Sequence, residues 1–298
     1  FWIKVFHIPV AGRTARGKPI VNILPLEEGE NITSLLPIRD YPENEFVFMA
    51  TSNGTVKKVA LPNFARQRSV GLRAIELDEG DTLVKTAITN GEHDVMLYSS
   101  SGKVIRFDEN DVRAMGRTAR GVRGIRLEEG HHMVDMIIPE ADGQILAVSE
   151  NGYGKRTPVE EFPCYKRGGK GVIGIKTSER NGAIVGAVQV FDGDEIMLIS
   201  DKGTLVRTRT DEVSSQGRNT QGVRLIKLKE GEALVGVERI EEPEEAPEYD
   251  DEGESGSEIG SESKNAQTQD FKQADTDAAD SSDAKSAGND QNLPADDE

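Results

Sequence analysis

One loop decides the fold, Cys164-Tyr165-Lys166-Arg167-Gly168-Gly169-Lys170-Gly171-Val172-Ile173-Gly174, in which positive charge alternates with glycine between two apolar runs. Versions of this loop occur five times, each a basic cluster that ends in glycine and precedes a short apolar strand. The closing glycines are Gly17, Gly71, Gly121, Gly171 and Gly222, at steps of 54, 50, 50 and 51 residues. A fixed period of this length is typical of solenoids, propellers and arrays.

Each repeat also carries a tight turn between two runs of β-branched and apolar residues. These turns are Asn53-Gly54, Ser101-Gly102, Asn151-Gly152 and Lys202-Gly203. Such turns predict hairpins, because glycine accepts the positive φ that a primed turn requires. One strand after the basic loop and one after a glycine-and-acid turn bring the count to about four strands per repeat. The sequence therefore predicts an all-β fold, a propeller-like ring of four-stranded blades of about 50 residues each.

The charge divides the chain into two regions. Residues 241–298 hold 20 acidic residues against three lysines, a net of −17, which leaves 33 basic and 33 acidic residues in 1–240. A segment this acidic and poor in apolar residues cannot offset its chain entropy by burial. We expect a β-domain over 1–240 and a disordered acidic tail over 241–298.

The repeat pattern begins part-way through one repeat and stops part-way through another. The chain begins with the strand-like run Phe1–Val5 and closes its last repeat near Arg239, so 1–240 holds four whole repeats and two partial ones. Either the two halves close a ring of five, or upstream sequence belongs to the protein and this chain is a fragment of it.

Signatures of catalysis and of bound cofactors are absent from the pattern. The four histidines are not at metal-ligand spacing, so we predict no metal site. The run Gly168–Gly171 precedes a strand and lacks the spacing of a phosphate-binding loop, so we predict no nucleotide site. A single cysteine, no run of about 18 apolar residues and no leader together favour a cytoplasmic protein.

Positive charge is the feature that recurs in register. The fourth residue after each hairpin glycine is basic, and each loop adds further cations. The predicted contact residues are Arg13, Arg16, Lys18, Lys58, Arg66, Arg68, Arg73, Arg106, Arg117, Arg120, Arg123, Arg156, Lys166, Arg167, Gly168, Gly169, Lys170, Gly171, Arg207, Arg218 and Arg224.

Equivalent positions of successive blades lie at equivalent radius, so these side chains predict a belt that tracks a polyanion. The glycines at 168, 169 and 171 would let a phosphate backbone approach main-chain N–H groups. Aromatic residues do not alternate with the cations, which favours backbone contact to duplex DNA over base stacking on single strands. The alternative interpretation is ordinary solvated surface charge, balanced by the acidic turns.

The loops Gly116–Leu127, Gly217–Val223 and 165–171, together with the Asn-Gly hairpins, resemble the C-terminal domain of the bacterial DNA gyrase A subunit over 1–240. The resemblance implies a β-pinwheel that wraps duplex DNA around its edge during ATP-dependent negative supercoiling by a type II topoisomerase. It implies a heterotetramer with the gyrase B subunit and a second A subunit, with ATP and Mg²⁺ required by the holoenzyme and no catalytic residue or cofactor in this chain.

The family's hallmark box, QRRGGKG, is matched at five of seven positions by Tyr165–Gly171. The box belongs to the first blade in the family, so this copy is interpreted as a degenerate secondary repeat. Two alternatives stay open: the C-terminal domain of the topoisomerase IV A subunit, and a protein-interaction propeller with no nucleic-acid role. We also expect the acidic tail to compete with DNA for the basic belt.

Overall fold

The computed structural model describes residues 3–12, 14–24, 26, 29, 31–66 and 72–240. The chain divides into two units, Phe1–Ala246 and Pro247–Glu298. The acidic tail predicted over 241–298 lies outside the described residues, as do Arg13, Arg68 and Gly71.

The described residues form strands and short 3-10 helices, and no α-helix occurs among them. The 3-10 helices are Val5–His7, Ile20–Asn22, Leu61–Phe64, Glu109–Asp111, Val159–Glu161 and Thr210–Glu212. The strands are β1 Phe46–Thr51, β2 Thr55–Ala60, β3 Leu83–Thr89, β4 Asp94–Ser99, β5 Lys103–Asp108, β6 Val122–Arg123, β7 Met133–Ile137, β8 Gln144–Ser149, β9 Tyr153–Pro158, β10 Val172–Ile173, β11 Ile184–Val190, β12 Glu195–Ser200, β13 Leu205–Arg209, β14 Val223–Arg224 and β15 Leu234–Ile240. The prediction of an all-β chain is confirmed.

The strands form four antiparallel sheets, which we call blades one to four. Their strand orders are β3-β1-β2-β6, β7-β4-β5-β10, β11-β8-β9-β14 and β15-β12-β13. Every blade contains one of the predicted hairpins, which forms the central pair of the three four-stranded blades. In blade one, for example, Val47 lies opposite Val59. Alternating apolar residues on both faces of these hairpins fit a sheet that is covered on two sides.

The outer strand of a blade comes from the following repeat. β6 pairs with β2 through Val56↔Val122 and Thr55↔Arg123, although the whole β4-β5 hairpin of blade two lies between them in the sequence. β10 pairs with β5 and β14 with β9 in the same way. The predicted short strand follows three of the five basic loops, and the sequence did not predict that it crosses to the preceding blade. A 3-10 helix, Ile20–Asn22, follows the loop that ends at Gly17, and residues 72–82 form no strand after the loop that ends at Gly71.

The blades pack face to face around a common inner side. The strand that stands first in each strand order given above is the inner strand of its blade. The inner strands are β3, β7, β11 and β15, and β3 contacts β7, β7 contacts β11 and β11 contacts β15. The hydrophobic core lies between neighbouring sheets; Phe48 of β1 and Leu97 of β4, for example, are both fully buried in one cluster. The inner side therefore holds the strands that carry no basic loop, and the outer edge holds β6, β10 and β14 with the loops that precede them.

Candidate nucleic-acid interface

Three of the five basic loops are anchored at both ends to the blade before them. On the entry side, the N–H groups of Met115, Tyr165 and Gln216 donate to the carbonyls of Lys58, Arg106 and Arg156, each at 2.8 Å. On the exit side, the outer strands β6, β10 and β14 complete the preceding sheets. The loops 116–121, 166–171 and 217–222 are thus short spans held between two fixed points.

Neighbouring loops are also hydrogen-bonded to one another. The N–H of Gly168 donates to the carbonyl of Gly124 at 2.5 Å, and the N–H of Arg126 donates to the carbonyl of Gly169 at 2.8 Å. The N–H of Lys176 donates to the carbonyl of Thr220 at 2.9 Å. Residues 116–126, 166–176 and 217–227 therefore form one continuous strip of backbone, which we call the outer belt.

One arginine recurs at the same position of each loop, and in two of the loops it helps to build this strip. Arg117, Arg167 and Arg218 occupy the same register, four residues before the closing glycine, and all three are half-buried. Arg167 Nη1 donates to the carbonyl of Arg123 at 2.9 Å, and Arg218 Nη1 donates to the carbonyl of Ile173 at 3.3 Å. These guanidinium groups tie a loop to the outer strand of the loop before it.

The other predicted loop residues present their charge to solvent. Exposed positions on the outer belt are Arg120, Arg123, Lys166, Gly169, Lys170 and Arg224, and exposed positions in the two preceding loops are Arg16, Lys18, Arg66 and Arg73. Arg120 lies 2.7 Å from Asp78, and Lys166 lies 2.6 Å from Asp111. The side chains of Arg120 and Lys166 are 63% and 88% exposed, so these pairs are weak and can open for a phosphate.

The third strand of each blade carries one of the predicted cations, which we call the strand cations, and three of the four contact the next blade. Lys58 is buried, with its Nζ 2.9 Å from Glu109 of the next blade. Arg106 donates to the carbonyls of Val159 and Phe162, and Arg156 donates to that of Val213.

These acceptors lie in or next to the 3-10 helices Glu109–Asp111, Val159–Glu161 and Thr210–Glu212. Three strand cations therefore fasten one blade to the next. The fourth, Arg207, pairs with Glu195 inside its own hairpin.

The electrostatics of the Lys58–Glu109 pair fit a structural role. Burial alone would raise the pKa of Glu109, but the Lys58 ammonium and the N–H of His93 bring it below its ordinary value. Both side chains are almost completely shielded from solvent, at 4% and 0% exposure. A phosphate could not reach Lys58 without opening the contact between two blades.

Two of the three glycines that were predicted to contact DNA are held by contacts within the protein. The N–H of Gly168 already donates to Gly124, as described above. Gly171 has φ of +69°, and a Cβ there would lie 2.2 Å from the carbonyl oxygen of Val104. Glycine is required at 171 because the loop crosses the backbone of β5 at this point.

Sequence analysis missed a further basic register and two buried lysines. Arg126, Lys176 and Lys227 each lie five residues after a closing glycine and are exposed on the outer belt. The repeat could have revealed them, since the register is basic in three successive loops. Lys57 and Lys155 are fully buried in β2 and β9.

No group of three or more His, Cys, Asp or Glu side chains with metal-binding geometry occurs in the described part of the chain. Within that same part, none of the helices could cross a membrane. The run Gly168–Gly171 leads into β10, so it does not open a helix as a phosphate-binding loop does. Burial and then the nearby Asp94 raise the pKa of the Cys164 thiol, which keeps it in its unreactive protonated form.

Fold and site together define a propeller-like repeat protein whose outer edge carries an ordered belt of basic loops. The family described as the DNA gyrase C-terminal domain, beta-propeller, matches residues 1–39, 45–90, 93–140, 143–190 and 194–241. The chain belongs to this family.

Relatives and solved structures agree with this assignment. The chain is 54% identical over 248 residues to the DNA gyrase A subunit of Escherichia coli, covering 83% of this chain and 28% of that protein. It is 59% identical over 243 residues to the A subunit of Buchnera aphidicola gyrase, covering 82% and 29%. The chain thus spans under a third of these relatives.

Two solved structures share the architecture. A DNA gyrase A C-terminal domain superposes with a TM-score of 0.68 at 28% identity, covering 76% of this chain and 75% of that one. The C-terminal domain of a DNA topoisomerase IV superposes with a TM-score of 0.71 at 28% identity, covering 76% and 71%.

Proposed function

We propose that this chain binds duplex DNA without sequence preference and wraps it around the outer belt. The observation that carries the proposal is the belt itself, in which three successive loops share one strip of backbone and repeat their exposed cations in register. Its contacts would be to phosphates, which position a duplex but carry no sequence information. The family's link to DNA gyrase supports the same conclusion.

Wrapping requires several blades at once. Bending 20–30 base pairs by 40–90° costs on the order of 1–6 kcal/mol. One loop presents only two or three exposed cations, and each exposed ion pair contributes roughly 0–1 kcal/mol. A continuous belt over neighbouring blades can offset the cost, because the loops keep their spacing fixed before DNA arrives.

We further propose that the chain acts as the DNA-wrapping part of a gyrase A subunit in ATP-dependent negative supercoiling in the cytoplasm. In this assembly it would work with the gyrase B subunit and a second A subunit. ATP and Mg²⁺ would be held by other parts of the assembly, and the residues of this chain would contribute only DNA binding and bending.

The test is binding to two duplexes of unrelated sequence across a salt series, followed by ligation of nicked circles in the presence of the protein. We expect equal affinities, a log–log salt dependence of about −0.9 per phosphate engaged, and a shift in linking number after ligation. Failure to bind at low salt would overturn the proposal and favour a protein-interaction propeller. Binding without a change in linking number would overturn wrapping.

Topoisomerase IV is the second candidate, because its C-terminal domain superposes on this chain at least as well as that of gyrase A. The hallmark box of gyrase A is matched only incompletely by Tyr165–Gly171. The sequence encoded immediately before Phe1 decides between the two. A complete QRRGGKG box there would favour gyrase, and its absence would favour topoisomerase IV.

A further inference from the structure

Two buried lysines reach the outer belt from inside the blades. Lys57 of β2 and Lys155 of β9 are both 0% exposed. Lys57 Nζ donates to the carbonyl of Ala74 at 2.6 Å and, by a shorter contact, to that of Arg117. Lys155 Nζ donates to the carbonyls of Gly217 and Arg218 at 2.5 and 2.6 Å. Lys155 therefore holds the backbone of the Arg218 loop from beneath, and Lys57 joins the Arg117 loop to the segment that contains Ala74.

The fold does not need lysine at this register. Both lysines lie three residues after a hairpin glycine, and the equivalent residues of blades two and four are Ile105 and Val206. Ile105 is buried like the lysines. An apolar side chain therefore fills this position well, and the ammonium groups must serve something other than packing.

Keeping a charge in this position has a cost. An ionised group taken out of water is unfavourable unless hydrogen bonds compensate it, and a charged donor forms stronger hydrogen bonds than a neutral one. Burial lowers the pKa of each lysine to about 8. The positive charge of Arg117 lowers the pKa of Lys57 further. Glu161 raises the pKa of Lys155, and Arg218 lowers it. Both lysines are still mostly charged at pH 7.

We propose that Lys57 and Lys155 are positioning residues of the DNA interface, which fix the Arg117 and Arg218 loops in their binding conformation and place a positive charge beneath the outer belt. This inference rests on the proposed function and deepens it. A loop that is ordered before DNA arrives avoids the entropy cost of ordering during binding. The second blade uses a different arrangement, with Ile105 below the loop and Lys166 on its surface.

The first experiment replaces Lys57 and Lys155 by isoleucine, the residue at the equivalent position of blade two. We expect Lys57→Ile and Lys155→Ile each to weaken duplex binding by about two- to tenfold at pH 7, the range expected when a surface group must be ordered on binding. A double-mutant cycle then tests positioning. Arg120→Ala should lose most of its effect in the Lys57→Ile background, because both act through one loop.

The matched control is Lys170→Ala, in the loop of blade two, whose effect should add to that of Lys57→Ile. Circular dichroism and a thermal unfolding midpoint establish that each variant is folded. Unchanged affinity of the Lys57→Ile/Lys155→Ile variant, or additive effects of Lys57→Ile and Arg120→Ala, would overturn the inference.

The second experiment uses the unmodified chain, so it holds even where a variant fails to fold. Between pH 7 and 9 the two lysines lose their protons, while phosphates and arginines keep their charge. We expect DNA affinity to fall over this range. The free energy of unfolding should change in the opposite direction, because between the folded pKa of about 8 and the ordinary 10.5 the unfolded chain binds more protons, so raising the pH stabilises the fold.

A role in packing alone would leave affinity independent of pH. If the chain binds duplex DNA with a flat pH profile, the positioning inference fails and the proposed function stands. If the chain does not bind duplex DNA at low salt at any pH, the proposed function itself fails.

Discussion

Two registers of positive charge repeat along this chain, and the fold uses them for different purposes. The strand cations Lys58, Arg106 and Arg156 reach the 3-10 helix region of the next blade. The loop cations, among them Arg120 and Lys170, lie on the outer belt in solvent. Both registers recur at a period of about 50 residues, so their regularity alone does not separate an interblade fastener from a DNA contact.

The two registers differ because their side chains have different surroundings. A cation in the third strand of a blade points toward the neighbouring sheet, where it must find an acceptor because an unpaired buried charge is very costly. A loop cation such as Arg120 stays largely in solvent, and its pair with Asp78 is itself exposed. The same residue type is therefore structural in one register and available to a ligand in the other.

The largest effect is expected from breaking a buried strand cation. Lys58→Met leaves Glu109 as a buried carboxylate without its cation, which should lower the free energy of unfolding by about 3–5 kcal/mol. The matched control is Arg207→Met, in the same register, whose pair with Glu195 is 58% and 30% exposed and should cost only about 0–1 kcal/mol. Urea unfolding of both variants measures this difference, and equal losses would contradict it.

The next effect concerns a loop glycine. Gly171→Ala places a Cβ against the carbonyl of Val104 at positive φ and should cost about 1–3 kcal/mol of stability. Gly169→Ala is the matched control, because its nearest neighbour would be Ile105 Cδ1 at 3.6 Å. Thermal unfolding compares the two. A stable Gly171→Ala chain with weaker DNA binding would instead favour direct contact between Gly171 and phosphate.

A smaller effect, on binding alone, is expected from the loop cations. Changing Arg117, Arg120 and Arg123 together to alanine should flatten the salt dependence of DNA binding by up to about 0.9 for each phosphate that is no longer neutralised. Arg207→Ala is the control for charge, since Arg207 is 58% exposed and Arg120 is 63% exposed. An unaltered slope for the triple variant removes this loop from the DNA track.

The smallest effect is expected from the acidic tail. Deleting 244–298 removes 18 acidic residues and three lysines from a chain whose body is neutral. If the tail competes with DNA for the outer belt, the deletion should raise affinity by a few-fold at moderate salt, since such competition is electrostatic and screened. A tail of equal length built from glycine and serine is the control. Affinity that is unchanged by the deletion would contradict the competition.

The sequence predicted some residues of the candidate site and missed or misplaced others. Exposed loop residues such as Arg120, Arg123 and Lys170 stand where the repeat placed them. Lys58 shows the limit, because nothing in its local sequence reveals that Glu109, some 50 residues away, is its partner. Lys57 was overlooked because its register, unlike that of its neighbour Lys58, is not basic in all four hairpins.

Periodicity and turn chemistry by themselves determined the all-β class, the four hairpins and the short strand after three of the five basic loops. They could do so because hairpins and strands depend on neighbouring residues, and repetition makes the local signal unambiguous. The exchange of outer strands between blades, the joining of the loops into one belt and the division of the cations into interblade fasteners and exposed loop cations emerged only in three dimensions. Each depends on a partner one repeat away, and the hydrogen bonds and ion pairs that select it form only when the blades pack together.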